Sequence, residues 1–259
     1  MATYNKRGYK APKPQEEEIV GEEVQDVDVK DSTTAEVFSS LDQGASKAEE
    51  WVARNQKYIF GLVGAIAIVT VAYLVYDRFV VEPKQDEAAN EMFMAQENFQ
   101  KALDAKTEKD SLFKVALNGA DAKYGFIQII DKYSGTDAAN LANYYAGISY
   151  LNIGDNTNAI KYLAEFKSDD MVLSVLAQGA IGDAFAQKNQ AKEALEYYEK
   201  AAGMSDNEIT APRFLFKAGQ TALQLNDKAK ALTIFTKIKE EYSSTPEARN
   251  VEGLIGMAQ

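Results

Sequence analysis

The longest uncharged, apolar stretch of the chain is YIFGLVGAIAIVTVAYLVY, the nineteen residues 58–76. As a helix it would be roughly 28 Å long, close to the ~30 Å hydrocarbon thickness of a bilayer. No polar stripe recurs every 3.6 residues, as a surface helix of a soluble domain would require, although a buried core helix is an alternative. The pattern therefore predicts a transmembrane helix, in which Gly61 and Ala65 have the small-residue spacing of a helix–helix contact.

The position of this run in the chain bears on its fate and orientation. Fifty-seven residues precede it, it exceeds the ~7–15 apolar residues of a cleavable signal, and no small-residue cleavage site follows, so we expect an uncleaved signal anchor. Basic residues are slightly more frequent on its N-terminal side. Since cytoplasmic flanks are enriched in Lys and Arg, we expect a cytoplasmic N-terminus and an extracytoplasmic C-terminal region.

Two segments precede the apolar run. Residues 38–57 have apolar positions three or four apart, which predicts a juxtamembrane amphipathic helix with Trp51 near the headgroups. Residues 1–37, a basic head followed by an acidic stretch, have the composition of a disordered cytosolic tail. The basic residues of the head are candidates for contact with anionic lipid or ribosomal RNA, or else act only in setting topology; they are Lys6, Arg7, Lys10 and Lys13.

After a connector at residues 77–84, the pattern becomes helical and repetitive. We expect helices at 85–105 and 112–133, helical hairpins at 137–167, 171–203 and 211–242, and a last helix begun by Thr245 and Pro246. KYSGTDAANLANYYAG (132–147) aligns with EYSSTPEARNVEGLIG (241–256), and glycines recur at the same phase, 35, 37 and 37 residues apart. These glycines, which we call the phase glycines, are Gly147, Gly182, Gly219 and Gly256.

Two further series share this period. An alanine is followed four residues later by a large apolar residue, in the pairs Ala122–Phe126, Ala159–Leu163, Ala194–Tyr198 and Ala231–Phe235. We expect the small residues to let two helices approach closely and the large ones to fill the space between hairpins. Residues that tolerate left-handed backbone, Gly154, Asn189 and Asn226, lie where the two helices of each hairpin should separate.

These series resemble the tetratricopeptide repeat (TPR), although no repeat has that family's Trp, and a generic αα-solenoid is the alternative. The resemblance implies an all-α fold in which residues 85–259 form a solenoid of three to four hairpins with a C-terminal capping helix. It also implies a partner-binding groove on the first helices, which suits a peptide or a helix; a merely solvated face is the alternative. The exposed groove positions would be Tyr144, Ile148, Asp183, Gln187, Arg213, Phe216 and Gln220.

Composition narrows the possible functions. The chain has no Cys and no His, which removes thiol and Ser-His nucleophiles, disulfides and the usual zinc sites, so we expect no catalytic residues, metal or cofactor. The adjacent acids Asp169 and Asp170 have no plausible base partner. A net charge of −11 disfavours a nucleic-acid-binding domain.

The order of tail, anchor and repeat domain resembles the YfgM-type ancillary subunit of the bacterial SecYEG translocon. The resemblance implies a single-pass inner-membrane scaffold with a periplasmic C-terminal domain. Its partners would be the translocon, a membrane-anchored prolyl-isomerase-like chaperone and emerging client proteins. The acidic tail has no counterpart that we can match. A cell-envelope scaffold for division or outer-membrane assembly, and a receptor of inverted topology, are the competing hypotheses.

Overall fold

A computed structural model describes the backbone of residues 33–259 and the side chains of residues 44–259. The boundary between the two units of the chain falls between Thr70 and Val71. The predictions for the tail before residue 33, including its four basic contact residues, lie outside the described part. Between residues 33 and 259 the structure is helical and contains no β-strand beyond one isolated bridge between Ala120 and Lys123.

The first helix, α1, runs from Thr33 to Tyr76. The sequence predicts a juxtamembrane helix at 38–57 that leads into the apolar run at 58–76, and in the structure the two form one uninterrupted helix. Its apolar part is long enough to cross a membrane, and it is the one described helix that meets this condition. Most of its described side chains, from Gly44 onwards, are exposed, for example 80% for Tyr58 and 71% for Ile68.

Residues 77–81 form a π-helical turn and a helix begins at Glu82, so the predicted connector at 77–84 is helical. Ten α-helices then follow among the described residues. They are α2 (Glu82–Asp104), α3 (Lys109–Asn118), α4 (Phe126–Lys132), α5 (Asp137–Asn152), α6 (Asn156–Glu165), α7 (Met171–Gln187), α8 (Ala191–Gly203), α9 (Ala211–Gln224), α10 (Lys228–Glu241) and α11 (Val251–Ala258).

The three predicted hairpins are confirmed as α5–α6, α7–α8 and α9–α10. We refer to α5, α7, α9 and α11 as first helices and to α6, α8 and α10 as second helices. The backbone is left-handed between the two helices of each hairpin, with φ of 78° at Gly154, 57° at Asn189 and 59° at Asn226. These residues tolerate positive φ, so they allow a tight reversal at each of these three positions.

The phase glycines allow the close approach of the two helices within a hairpin. A methyl carbon on Gly147 would lie 2.5 Å from Leu163, one on Gly182 would lie 2.6 Å from Tyr198, and one on Gly219 would lie 2.5 Å from Phe235. The large residue of each second helix thus packs onto the glycine of its own hairpin. The space that it fills first is thus the one over this glycine, within the hairpin, and Tyr198 also meets the next hairpin, where the Lys217 ammonium lies 5.5 Å from its ring centroid.

The predicted helix at 112–133 is also wrong, since α3 ends at Asn118 and α4 begins at Phe126. Between them Gly119, Asp121 and Ala122 adopt positive φ. Ala122, assigned by its spacing to a second helix, is exposed in this turn. The turn is compact, because a Cβ on Gly125 would lie 2.3 Å from the backbone nitrogen of Gly119.

The last helix begins later than predicted. Thr245 is buried and its hydroxyl donates a 2.8 Å hydrogen bond to the carbonyl of Tyr242, rather than capping a helix. A short 3₁₀ turn at Ala248–Asn250 precedes α11. Thr136 makes the same 2.8 Å bond to Tyr133, but its hydroxyl oxygen also accepts a hydrogen bond from the backbone amide of Ala139 and caps α5, so the two aligned segments share the turn and differ in where the next helix begins.

Buried apolar side chains form three clusters along the repeat region. The first lies between Ala88 and Ala146, and the largest between Val175 and Ala258. A small middle cluster consists of Leu163, Ala177, Ala180 and Ile181. The hydrophobic core is thus continuous within each end of the repeat region and thin between them.

Candidate functional site

The candidate site is the first-helix face, which we define by the seven predicted groove residues on α5, α7 and α9. Three of them, Gln187, Arg213 and Gln220, are exposed as predicted, and the other four are half-buried. The face therefore offers amide and guanidinium groups to solvent, and its aromatic and aliphatic members lie partly beneath them.

Tyr144 lies between neighbouring rings on α5 and at the end of the first hairpin. Its ring centroid is 5.3 Å from that of Phe166 and 5.8 Å from that of Tyr145. Burial raises the pKa of the Tyr144 hydroxyl, with a further contribution from Tyr145, whereas the charge of Arg213 acts in the opposite direction.

Ile148 and Phe216 contribute mainly to the core. Ile148 packs against both the first and the middle cluster. Phe216 packs against the largest cluster, and its ring centroid lies 6.2 Å from that of Phe235. Both residues are half-buried, so each leaves part of its side chain on the first-helix face while the rest packs against the core.

Asp183 is the centre of a polar cluster that joins three helices. Its carboxylate accepts a 2.7 Å hydrogen bond from the Tyr198 hydroxyl of α8. The same carboxylate forms an ion pair with the Lys217 ammonium of α9 at 2.5 Å. The side chains of Asp183 and Lys217 are only 29% and 28% exposed. This partial burial strengthens the ion pair relative to one at the surface.

The same cluster changes the chemistry of Tyr198. Burial of its ring, and then the nearby Asp183 carboxylate, raise the pKa of the Tyr198 hydroxyl well above its ordinary value. Sequence reasoning recognised Tyr198 only as a packing residue and missed Lys217. A signal existed, since Asp183 and Lys217 are opposite charges 34 residues, about one repeat, apart.

A cavity of about 480 Å³ opens beside this cluster. Asp183 and Gln187 line it together with Asn152 and the apolar Leu151 and Ala186. The side-chain amide of Asn152 already donates to the carbonyl of Ile148, and Asp183 is neutralised by Lys217. The cavity thus provides amide groups and short apolar side chains rather than an unpaired charge, a lining that suits polypeptide better than a charged metabolite.

The predicted helix contact on α1 can be described only on its own side. Gly61 and Ala65 are both exposed, and a Cβ on Gly61 would have no atom within 4 Å. The surface is therefore open at this point, and the contact stays a prediction. Among the described residues no group of three or more acids is arranged to hold a metal ion.

Comparison with known proteins identifies the repeats. Two family models, both described as tetratricopeptide repeat, match the chain, one at residues 141–170 and 214–245 and the other at 177–208. Each matched segment covers most of one hairpin. No curated protein matches the chain. The chain therefore contains three tetratricopeptide repeats in an all-α solenoid, which is the architecture of a protein–protein interaction scaffold.

Proposed function

We propose that this chain is a non-enzymatic scaffold that residues 58–76 anchor in a membrane. The observation that carries the proposal is the combination, in one chain, of an uncharged helical run whose side chains are exposed and three tetratricopeptide repeats. Exposing the apolar side chains of these nineteen residues to water is unfavourable, whereas their transfer into the hydrocarbon of a bilayer is favourable. The anchor confines the repeats to the membrane surface and raises their effective concentration near membrane partners.

For the location we propose the bacterial inner membrane, with residues 1–57 in the cytoplasm and residues 77–259 in the periplasm. The support is the excess of basic residues on the N-terminal side of the run. Within residues 1–57, residues 1–37 form the tail and residues 38–57 approach the membrane. Residues 77–84 lead into the interaction domain at 85–259.

For the partners we propose the Sec translocon and a membrane-anchored prolyl-isomerase-like chaperone, with emerging clients as further ligands. This step is supported by the resemblance of the whole arrangement to YfgM-type subunits. Arg213 and Gln220 are exposed on the same helix, α9, and offer polar contacts for a partner segment. A role of the basic head at the ribosome belongs to the same proposal.

Topology is tested by labelling single cysteines, since the natural chain contains none. A membrane-impermeant maleimide applied to intact spheroplasts should label Lys237→Cys, whereas Lys47→Cys should be labelled only after permeabilisation. Both side chains are exposed in the structure, so access to either depends on the membrane alone. The reverse pattern would establish the inverted topology, and labelling of both would show that residues 58–76 do not span.

Partner choice is tested by a photocrosslinking amino acid at Arg213 or Gln220, with Thr233 on α10 as the matched control. All three positions are exposed in the same hairpin. We expect crosslinks to the translocon or the chaperone from the α9 positions and few from Thr233. Crosslinks from α9 only to division or outer-membrane assembly proteins would favour the competing scaffold of the cell envelope.

A further inference from the structure

One face of α1 has a regular series of apolar positions that runs from the polar part of the helix into the apolar run. The positions follow one another at alternating intervals of three and four residues, an average of 3.5. We call this series the heptad face; it consists of Ala45, Ala48, Val52, Asn55, Ile59 and Leu62. An apolar repeat of 3.5 residues is typical of a helix that packs along its length against another helix in a left-handed coiled coil.

The heptad face is free of charge and open. All five charged residues between 44 and 57 lie off it. The side chains of Val52 and Leu62 are 48% and 64% exposed, and Ala45 and Ala48 are exposed as well. A groove of about 520 Å³ runs along this side of the helix, and Ala48, Val52 and Ile59 line it. This part of α1 therefore has the shape and the polarity of a surface that receives the side chains of a second helix.

Lipid does not reach the first half of the heptad face. Because α1 is uninterrupted, residues 44–57 leave the bilayer along the axis of the spanning helix. Val52, Ala48 and Ala45 lie six, ten and thirteen residues before Tyr58. At 1.5 Å per residue these intervals are about 9, 15 and 20 Å, whereas the headgroup layer on each side is only about 5–8 Å thick. Another protein helix is the cover that fits these positions.

Asn55 indicates that this helix is a second copy of α1. It is the one polar residue of the heptad face, and its amide nitrogen donates a 2.8 Å hydrogen bond to the carbonyl of Trp51. A carboxamide has both donors and an acceptor, so it is complementary to itself. In a parallel pair of identical helices Asn55 meets Asn55 at the same depth, and a single Asn of this kind fixes the register of a coiled coil. A different helix would need a polar group of its own at that height.

The charges beside the heptad face also permit self-association. In a parallel pair, residues that flank the two apolar faces lie opposite each other with an offset of five positions. Glu49 would therefore lie opposite Gly44 of the other copy, and Gln56 opposite Trp51. No like charges face each other in either pair. The acidic character of the whole chain thus does not oppose this contact.

We propose that α1 pairs with α1 of a second copy as a parallel coiled coil, with the heptad face as the contact. The proposal rests on the membrane anchor proposed above, since insertion in one membrane gives both copies the same direction. The contact is isologous and closed, so it produces a dimer. Each dimer would carry two interaction domains, which increases the avidity for a partner that has two binding sites.

Single cysteines test the contact in isolated membranes that contain the full chain. Ala48→Cys and Val52→Cys lie on the heptad face, and Ala53→Cys and Lys57→Cys lie off it; all four positions are exposed. Ala53 is the matched control for Ala48, because the same residue type is replaced. Cysteines link only when their Cα atoms come within about 7 Å. Under mild oxidation we expect at least about tenfold more linked dimer from the two cysteines on the face.

Equal linkage on and off the heptad face, or none at any position, would overturn the proposal. Stronger linkage of Gly61→Cys or Ala65→Cys than of the cysteines on the face would replace it by a contact through small residues. The result is separable from that of the topology experiment, because residues 44–57 lie on one side of the membrane in either orientation. Only labelling of both Lys47→Cys and Lys237→Cys rejects the anchor itself.

A charge placed on the heptad face tests the packing independently of where a cysteine can reach. In chains that carry Val52→Cys, Ala48→Glu should lower the linked fraction about tenfold, because two carboxylates would then face each other in the contact. Ala53→Glu adds the same side chain to an exposed alanine nearer to the cysteine, and it should leave the linkage unchanged. Recovery of both variants in the membrane fraction after alkaline extraction shows that they are inserted. Unchanged linkage in Ala48→Glu, or an equal loss in Ala53→Glu, would contradict the proposal.

Discussion

The three repeats between residues 137 and 242 and the helices between residues 82 and 132 reach a packed core in different ways. In the repeats, glycines accept a large side chain from the paired helix. In the N-terminal helices the core is aromatic: Phe126 lies 6.1 Å from Phe99 and is stacked 5.3 Å from Tyr145. The comparison shows that one sequence series, Ala followed by a large residue, can serve two packing schemes.

The largest effect is expected from Phe126→Ala. Phe126 is fully buried, so truncation should lower the free energy of unfolding by about 3–5 kcal/mol. Urea denaturation of the full chain in detergent, monitored by circular dichroism, measures this free energy of unfolding. The substitution to Leu sharpens the comparison: Phe235→Leu should be tolerated better than Phe126→Leu, because Leu163 already fills the equivalent position in the first repeat. Equal costs would show that the two phenylalanines have the same role.

An intermediate effect of either sign is expected when a methyl group is added to a phase glycine. Gly219→Ala should destabilise the protein by about 1–2 kcal/mol, because the new Cβ overlaps the buried Phe235 ring and this outweighs the gain in helix propensity. Gly256→Ala should stabilise it by about 0.5–1 kcal/mol, since nothing lies near that position. The same denaturation experiment compares them. Destabilisation by both would mean that Gly256 is packed in the monomer.

The smallest effect at neutral pH, where it vanishes, concerns the pH dependence of the Asp183 cluster. Burial and Asp183 raise the pKa of Tyr198 above its ordinary 10.0, so the folded protein retains this proton when the unfolded chain has lost it. Below pH 10 both states are protonated and this group adds no pH dependence. At higher pH stability should fall by about 1.4 kcal/mol per pH unit from this group.

Tyr198→Phe should remove that contribution to the alkaline loss. Unfolding free energies measured between about pH 9 and 11 should therefore converge for the two proteins as pH rises, although the variant is less stable at neutral pH because a hydrogen bond is lost. Parallel curves would show that Tyr198 does not titrate differently in the folded state.

The fold could be predicted from the sequence where a residue's role depends on its own backbone preference rather than on distant contacts. The left-handed Gly154, Asn189 and Asn226 were predictable because their backbone preference is intrinsic. The spacing of Ala122 matches the series and wrongly predicts a helix there, whereas Gly119 and Gly125 are the real signal of a turn. The regularity of a period cannot reveal where a helix is interrupted.

The candidate site was less predictable, since exposure depends on small rotations of each helix. Arg213 and Gln220 are exposed, whereas Ile148 and Phe216, assigned by the same register, are half-buried and pack partly against the core. The ion pair of Asp183 with Lys217 could not be predicted without knowing how adjacent first helices face each other. The two residues are about one repeat apart in the sequence, yet they are in contact in the fold.

The thin middle cluster of the core has a mechanical consequence. In a solenoid each repeat is stabilised mainly by its neighbours, so the seam with the least buried apolar area opens first. The fully buried members of this cluster, Leu163, Ala177, Ala180 and Ile181, include no aromatic ring, and the rings that pack against them, such as Phe166 and Phe185, are only partly buried. The repeat region should therefore bend and open locally at the junction of α6 and α7. Backbone amides at this junction should lose protection from hydrogen exchange before the amides at either end of the repeat region.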